Sequence, residues 1–392
     1  KEMIAKYYNT AKTDIFCCFV DRGIDLLFSN SLMAAISNRT AFFLDGAENW
    51  RKKLIGEHAS IKLFADLGDG VLDTALVETA SYTIIKRMND LDCIAIRCVE
   101  APVESKDTTL LRAIRTKTFA YIDLSLMKKL PGKPFAYWLG NEGASIFANN
   151  TSLLDSGYTC QQGIITADDV RFLRLKWEIS DIKDQWMFLV KGGDYSLFYS
   201  PVSLLVHSKN DFREIEVNAN KKYPYLKGNA SSMLHLDPNL FKSEGLFYTR
   251  RTSSEFSTRV LPQKTIYSDK GPAIRPVDSR PNYSIFEMLG ITNSNAFRSF
   301  LSIGLGAAGA AARSYETGLV SKIPLPFLKE EQKTELNNHV KNCIEKTVQV
   351  FSLEETDNYF SSPLPGNIGN LGDNINEIFK RYCLFIQESK QT

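Results

Sequence analysis

Apolar side chains near the start of the chain recur at intervals of three and four residues, most clearly between residues 14 and 28. This spacing predicts an amphipathic helix. A short apolar run at 32–36 predicts a buried strand, and the pattern at 46–58 predicts a second helix. Runs of β-branched and apolar residues predict further strands at 61–67, 79–85 and 93–99. Because strands alternate with helices, we expect an α/β sheet up to about residue 125.

The pattern changes at the turn-forming run Pro131-Gly132-Lys133-Pro134. The chain beyond it is richer in Gly, Asn, Ser, Tyr and Lys, with short strand-like runs at 172–179, 186–190, 197–199, 203–207 and 245–249. Helical patterns follow at 295–312, 329–351 and 374–388. The sequence therefore predicts a partial Rossmann-like α/β sheet over 1–130, a β-rich α+β domain over 131–326, and C-terminal helices over 327–392.

The composition excludes collagen-like, coiled-coil and wholly disordered chains. Among 392 residues, 47 Lys and Arg nearly balance 45 Asp and Glu, which gives a net charge of +2. Any surface that binds nucleic acid must therefore be a local basic patch. Seven cysteines without a Cys-x-x-Cys pair fit a reducing cytosol. No apolar run approaches the ~18 residues of a membrane helix, and the chain lacks an initial Met, which hints at a piece of a longer protein.

Two glycine-rich motifs are candidate cofactor loops. The run Asp66-Leu67-Gly68-Asp69-Gly70 is similar to the strand-to-helix turn that receives S-adenosylmethionine, but strand-like residues rather than a long helix follow it. A plain turn at the end of a strand is the favoured interpretation. The run at 304–309 matches Gly-x-Gly-x-x-Gly, but a helical pattern precedes it where a dinucleotide site needs a strand. Close backbone packing or a hinge explains it better.

No catalytic constellation is visible from composition and spacing alone. The four histidines are scattered, and none has the spacing of a zinc ligand pair. Neither a Gly-x-Ser-x-Gly elbow nor a Walker loop is present. We therefore expect no metal site.

Several segments, in order, carry a resemblance to one enzyme family. They lie at 11–22, 64–70 with 78–80, 130–138, 162–174, 191–193, 209–211, 312–318 and 323–326. The order of these segments resembles that in the C-terminal half of adenine-specific DNA methyltransferases. The resemblance extends from residue 7 to about residue 388. The chain is most similar to the PglX family of BREX phage-defence systems, and more loosely to type IIG restriction-modification enzymes. It departs from the family pattern at Ser29-Asn30-Ser31 and at Thr40-Ala41.

The resemblance implies transfer of a methyl group from S-adenosylmethionine to adenine N6 in a phage-defence or restriction-modification system. The family's catalytic Asn-Pro-Pro-Tyr loop and cofactor glycines are not in this sequence. The resemblance places both upstream of Lys1, so no catalytic residue is assigned and we expect the chain alone to be inactive. With an upstream part present, Asp14, Phe16 and Phe19 would lie beside the cofactor pocket. Alternatively, the two phenylalanines are core residues of an amphipathic helix.

The resemblance also implies that residues 131–326 form a target-recognition domain, so that this chain mainly supplies DNA recognition. Side-chain chemistry then selects candidates. Lysines suit phosphates, arginines suit base edges or tight phosphate contacts, and Asn suits an adenine edge. The candidates are Lys191, Lys209, Lys264, Lys270, Arg171, Arg174, Arg250, Arg251, Arg259, Arg313 and Asn210. Tyr315 could stack on DNA or brace its turn. For each charged residue, an ordinary solvated surface charge is the alternative.

The implied partners are double-stranded DNA and a missing N-terminal methyltransferase part or subunit, with other defence proteins as further candidates. The resemblance also implies a cytoplasmic location and no membrane partner. Two alternatives remain open. The chain could be a catalytically inactive scaffold of a defence complex, which its near-neutral charge and lack of the catalytic loop would fit. It could instead be a stand-alone enzyme that binds S-adenosylmethionine at Asp66–Gly70.

Overall fold

A computed structural model describes residues 2–11, 14–43, 45–72, 77–130, 132–182, 185–237, 241, 243–277, 281–305, 313–357, 359–360 and 380. The chain divides into two compact units. The first is Lys1–Thr151 with Ser299–Ala310, and the second is Ser152–Arg298 with Ala311–Thr392. In its described residues, no helix is long and apolar enough to cross a membrane.

The first unit is a mixed sheet with helices. Its elements are α1 (Glu2–Tyr7), α2 (Ile15–Leu26), β1 (Leu32–Asn38), α3 (Glu48–Leu54), β2 (Ser60–Gly68), β3 (Thr79–Ile85), β4 (Asp92–Arg97), α4 (Lys106–Thr116), β5 (Ala120–Asp123), α5 (Leu124–Met127) and α6 (Gly140–Asn149). The strand order is β1-β3-β2-β4-β5. Strands β1, β2 and β4 run in one direction, and β3 lies antiparallel between β1 and β2. The predicted α/β sheet is confirmed.

Two apolar layers cover the sheet of the first unit. On one face Phe64 and Tyr82 pack with Phe42 and Trp50, whose rings meet edge to face. On the other face, smaller side chains of β2 and β4 pack with Ala113 of α4. Alternate residues of each strand therefore serve opposite layers, as strand geometry requires.

Strand β1 does not have the burial that its sequence predicts. It lies at the edge of the sheet, and Leu32 and Ile36 are each 57% exposed. Met33 and Ala35, on the opposite face, pack against the core. The prediction of a buried strand is wrong because a short apolar run does not reveal whether a neighbouring strand covers it.

The described residues of the second unit form two small sheets and a two-stranded ribbon. Its strands are β6 (Tyr158–Gln161), β7 (Leu173–Leu175), β8 (Trp186–Val190), β9 (Leu204–His207), β10 (Gly245–Tyr248), β11 (Arg251–Thr252), β12 (Thr258–Leu261), β13 (Ile266–Tyr267), β14 (Ala273–Pro276) and β15 (Arg313–Ser314). The strand orders are β12-β10-β14-β6 and β13-β8-β9-β7, and the ribbon is β11-β15.

Short helices connect these strands, and a long one follows them. They are α7 (Asp169–Phe172), α8 (Lys209–Lys222), α9 (Ala230–Met233), α10 (Ile285–Thr292), α12 (Thr317–Val320) and α13 (Glu330–Phe351). Helix α11 (Asn295–Gly304) begins in this unit, and its residues from Ser299 onward belong to the first. The predicted β-rich α+β character and the helix at 329–351 are confirmed. The helix predicted at 374–388 lies outside the described residues, apart from residue 380.

Two predicted strands of this unit are wrong in part. The run at 172–179 begins as the end of α7, forms only the short strand β7, and continues as a 3₁₀ turn at Lys176–Glu178. Asp168 caps α7 by accepting a hydrogen bond from the backbone of Arg171, which favours helix there. The run at 197–199 makes only an isolated bridge between Phe198 and Arg259.

Candidate nucleic-acid interface

Seven of the predicted DNA-binding residues meet around four loops of the second unit, which we call the loop junction: 191–194, 249–251, 268–271 and 313–316. The backbone N–H of Arg250 donates to the carbonyl of Lys270 at 2.9 Å, and the N–H of Tyr315 donates to the carbonyl of Arg250 at 2.7 Å. Segments far apart in sequence are thus joined by main-chain hydrogen bonds. Six of the seven lie in these segments, namely Lys191, Arg250, Arg251, Lys270, Arg313 and Tyr315, and Arg259 lies in the neighbouring strand β12.

Glycine allows two of these loops to touch. A Cβ atom added to Gly271 would lie 2.4 Å from the backbone nitrogen of Gly192, closer than any side chain permits. Gly192 itself has a φ of +86°, in the region that glycine adopts at little cost. The glycines beside Lys191 and Lys270 therefore bring these two lysines to adjacent loops.

Arg259 supports the loop junction from beneath and is fully buried. Its guanidinium donates to the carbonyl of Asp194 at 3.0 Å and to the hydroxyl of Thr249 at 2.9 Å, and lies 4.7 Å from the ring centre of Phe247. Burial lowers the pKa of Arg259 to about 10, which leaves the group charged at neutral pH. Because its donors point inward, the structure does not support the predicted contact between Arg259 and DNA.

Tyr315 is also buried. Its ring packs edge to face on Phe256, with centroids 5.0 Å apart, and its backbone continues the main-chain bonding of the junction. The structure therefore favours the bracing role over stacking on DNA. A tyrosine that fills the core cannot offer a face to a base.

Three basic residues of the junction have acidic partners that the sequence analysis did not identify. The guanidinium of Arg250 donates to Glu316 at 3.1 Å, Lys270 pairs with Asp269 at 2.9 Å, and Lys191 pairs with Asp169. Partial burial acts to raise the pKa of Asp169. Hydrogen bonds from Lys191 and Thr166 outweigh this effect and hold that pKa below its usual value. These lysines and Arg250 are oriented, but their charge is partly neutralised.

Arg251 and Arg313 differ from these residues because both are exposed and, among the described residues, neither has an ion-pair partner. They lie on the ribbon, where Arg251 is opposite Ser314 and Thr252 is opposite Arg313. Residues directly opposite share a face, so the two arginines project from opposite faces of the ribbon. The ribbon therefore presents one guanidinium on each side.

A small cleft lies beside the junction. Its volume is about 240 Å³, and Ile164 and Leu189 form part of its apolar lining. Lys191, Asp169 and Lys270 also line it. The lining of the cleft thus combines apolar side chains with both signs of charge.

The remaining candidates lie outside the loop junction. Arg171 donates to Asn218 at 3.0 Å, and Arg174 donates to the carbonyl of Val170 at 2.8 Å. Lys209 and Asn210 are exposed at the start of α8, where the backbone from Asn210 to Phe212 has positive φ. Lys264 is exposed in the turn before β13. The structure does not bring these five residues together with the junction.

The predicted cofactor residues lie in the first half of helix α2 or at its N-terminal cap. Asp14 is exposed and accepts a hydrogen bond from the N–H of Phe16 at 3.3 Å, which caps the helix. The ring of Phe16 packs edge to face on Trp50, whereas Phe19 is 72% exposed. The interpretation of Phe19 as a core residue is therefore wrong.

The first glycine-rich candidate, the run at Asp66–Gly70, ends strand β2 as a turn. Asp66 is buried and accepts hydrogen bonds from Arg39 at 2.7 Å and from the hydroxyl of Tyr137 at 2.8 Å. Burial raises the pKa of Asp66, while Arg39 and Tyr137 act to lower it. Its carboxylate is thus committed within the protein, which favours the interpretation as a plain strand-end turn.

Among known proteins, this chain is similar in sequence to adenine-specific methyltransferases. No protein-family model matches this chain. The chain is homologous to adenine-specific methyltransferases. It is 21% identical over 359 residues to the adenine-specific methyltransferase PglX of Lacticaseibacillus casei (strain Zhang), and 23% identical over 363 residues to BrxX of Escherichia coli O9:H4 (strain HS). These matches cover 86% and 89% of this chain, and they confirm the resemblance to the PglX group.

The chain spans only 28% and 27% of the lengths of these two relatives. Among solved structures, the type IIL restriction-modification enzyme MmeI in complex with DNA is similar over 97% of this chain and 53% of that chain. Its identity is 10% and its TM-score 0.49. The DrdV–DNA complex is similar over 93% of this chain and 42% of that chain, with 13% identity and a TM-score of 0.42.

Proposed function

We propose that this chain is the target-recognition part of an adenine-specific DNA methyltransferase of phage defence or restriction-modification, and that the loop junction binds the duplex. The observation that carries the proposal is the ribbon with exposed Arg251 and Arg313, neither of which has an acidic partner in the part of the chain that the structure describes. A two-stranded ribbon fits the major groove of B-DNA. With a guanidinium on each face, it could contact phosphates on both sides of that groove.

The other basic residues of the junction have a second role in this proposal. Lys270 and Arg250 keep acidic partners, so they set the position of the loops and add weaker phosphate contacts. Arg259 stabilises the junction from within. DNA positioning thus depends mainly on the two ribbon arginines, with the lysines beside the cleft as auxiliary contacts.

Methyl transfer would need more than this chain. The relatives' names support transfer to adenine, and such enzymes use S-adenosylmethionine. The Asn-Pro-Pro-Tyr loop would come from a catalytic part, on the same polypeptide or on a second subunit, with Asp14 and Phe19 beside its cofactor. We expect no tritium transfer to DNA by the chain alone. An enzyme that methylates the DNA of a bacterial cell acts in the cytoplasm, so we expect the protein there.

The proposal is tested by binding of the purified chain to a duplex of about 30 base pairs at 50 and 200 mM salt. Six phosphate contacts would give a slope of roughly −5 for log affinity against log salt. A duplex affinity, measured by filter binding, that falls steeply between 50 and 200 mM salt supports DNA recognition. Absent or salt-insensitive binding, together with capture of another defence protein, would favour the scaffold alternative instead.

A further inference from the structure

We propose that the turn after helix α8 binds unpaired nucleotides of DNA, with Tyr225 stacked on a base and the lysines beside it on the phosphates. We call this surface the tyrosine turn, and it consists of Lys222, Tyr223, Tyr225 and Lys227. Because the proposed function makes DNA the ligand of the second unit, this proposal rests on it. Single-stranded DNA is then a second ligand, bound at a surface that shares no residue with the loop junction.

The first observation is the backbone of the tyrosine turn. Helix α8 ends just before Tyr223, whose N–H donates to the carbonyl of Ala219 at 2.8 Å. A 3₁₀ turn, Pro224–Leu226, follows directly. Lys227 closes it by donating its N–H to the first carbonyl of that turn at 3.1 Å. Main-chain hydrogen bonds on both sides therefore hold the turn in one shape before any ligand binds.

The second observation is an aromatic ring that the fold leaves uncovered. Tyr225 is 72% exposed, whereas Tyr223 is half-buried and packs against the apolar core of the second unit. The two ring centres are 5.8 Å apart, with the ring planes inclined at 52°. Tyr223 thus anchors the turn and supports Tyr225, which keeps most of its ring accessible. Accessible aromatic rings between basic residues are the surfaces on which proteins stack the bases of single strands.

The third observation is the charge around this ring. Residues 217–236 include three lysines and no Asp or Glu, although Asp and Glu number 45 among the 392 residues of the chain. Lys222 and Lys227 are both exposed, and within the described part of the second unit neither forms an ion pair. Their charge is therefore available to phosphates, unlike that of Lys191 and Lys270 in the loop junction, which have acidic partners.

The fourth observation is the place of the tyrosine turn beside the cleft. The ammonium group of Lys222 donates to the carbonyl of Ala167 at 3.0 Å and lies 5.5 Å from the ring centre of Tyr223. An ammonium group has three donors, so two remain for a phosphate. Ala167 lines the cleft beside the loop junction. The tyrosine turn thus adjoins the surface at which we propose duplex binding, and a strand that separates from the duplex there can continue onto it.

Unpaired DNA fits this surface better than a duplex or an acidic peptide does. In a duplex the faces of the bases are stacked on one another and are not accessible to Tyr225. An acidic peptide has carboxylates for the lysines, but these leave the exposed ring uncovered. A single strand supplies both a flat base and phosphates in every nucleotide. Because every base has such a face, we expect binding that depends little on sequence.

The first test is the affinity of the purified chain for a fluorescent single strand of about 20 thymidines, measured by anisotropy at 100 mM salt. Tyr225→Ala should weaken this binding roughly tenfold, because one stacked base is lost. Tyr225→Phe should bind like wild type, since stacking does not need the hydroxyl. The matched control is Tyr121→Ala, which removes a similarly exposed tyrosine from β5 and should have no effect. Circular dichroism checks that all four proteins are folded.

The second test separates phosphate contacts from base stacking. Lys222→Ala with Lys227→Ala removes two phosphate contacts, so the slope of log affinity against log salt for the single strand should become less steep by about 1.4. Polyglutamate carries charge but no bases. It should compete with the labelled strand roughly tenfold more weakly than unlabelled single-stranded DNA of equal charge.

Wild-type affinity in Tyr225→Ala, an equal loss in Tyr121→Ala, or no binding of the single strand by wild type would overturn the proposal. Equal competition by polyglutamate would overturn it too, because the lysines would then act without base stacking. Duplex binding, measured on the same proteins, should be unchanged by Tyr225→Ala. Absence of the single-strand effects with duplex binding intact counts only against this inference, and single-strand binding through Tyr225 without duplex binding counts only against the proposed function.

Discussion

The edge region at β1 and the loop junction distribute charge and apolar surface in opposite ways. At β1 the ions are inside, since Arg39 and Asp66 are buried at the end of the strands, while Leu32 and Ile36 face outward. At the loop junction the aromatic residues are inside, while Arg251 faces outward. Exposed apolar surface is stabilised by another protein surface, and exposed guanidinium groups by a polyanion. The two regions thus expose opposite chemistry, apolar at β1 and cationic at the loop junction.

The largest effect is expected from breaking the buried ion pair. Arg39→Met leaves the Asp66 carboxylate buried beside a single remaining donor, so the free energy of unfolding should fall by roughly 3–5 kcal/mol. Arg251→Met, which removes an exposed charge, should change it by less than about 0.5 kcal/mol. Urea denaturation measures both. Similar small losses in the two variants would show that the contrast between buried and exposed arginines is wrong.

The next effect concerns DNA affinity. Removing both ribbon arginines, as Arg251→Ala with Arg313→Ala, should remove two phosphate contacts and weaken duplex binding roughly 60-fold at 0.1 M salt. Titration of a fluorescent duplex measures the change. The matched control is Arg213→Ala with Lys221→Ala, which removes two exposed charges from α8. If the control weakens binding as much, the ribbon has no special role.

Packing of the loops gives a smaller effect. Gly271→Ala should destabilise the protein by about 1–3 kcal/mol, because its Cβ would press on the backbone of Gly192. DNA binding should weaken with it, since the loops carry Lys191 and Lys270. Gly318→Ala is the control, because a Cβ there meets nothing within 4 Å. Thermal unfolding of both variants tests the prediction, and an unchanged Gly271→Ala protein would contradict it.

The smallest effect is on pH dependence. Because burial raises the folded-state pKa of Asp66, its contribution to stability is present below the unfolded pKa near 3.8 and is lost as pH rises through the folded value. Tyr137→Phe removes a hydrogen bond that lowers this pKa, so the loss should extend to higher pH and cost about 1 kcal/mol. Unfolding free energies from pH 4 to 7 measure this. The difference should vanish when Asp66→Asn is added to both proteins.

The hydrophobic pattern along the chain predicted those elements whose secondary structure is determined by residues nearby in sequence. Strands at 79–85 and 186–190 were predicted with the bounds they have, because β-branched and apolar runs favour strand regardless of partners. Exposure was predicted poorly. Phe19 and Ile36 have the spacing of core residues, but whether they are covered depends on a surface that the local sequence does not specify.

The loop junction was predicted only in part, again because the local sequence does not specify which side chains are covered in the fold. Residue chemistry selected Arg251 and Arg259 equally, although one is exposed on the ribbon and the other is buried under Thr249 and Asp194. That difference arises from contacts between loops about 55 to 65 residues apart, which spacing along the chain does not encode. The acidic partner Glu316 was missed because it lies 66 residues from Arg250.

The most direct test of DNA recognition by the ribbon is the salt dependence of duplex binding by wild type and by the Arg251→Ala, Arg313→Ala protein, from 50 to 200 mM salt. Two lost phosphate contacts should make the slope of log affinity against log salt less steep by about 1.8. The Arg213→Ala, Lys221→Ala control should keep the wild-type slope. An unchanged slope in the ribbon variant, or an equal change in the control, would contradict recognition by the ribbon.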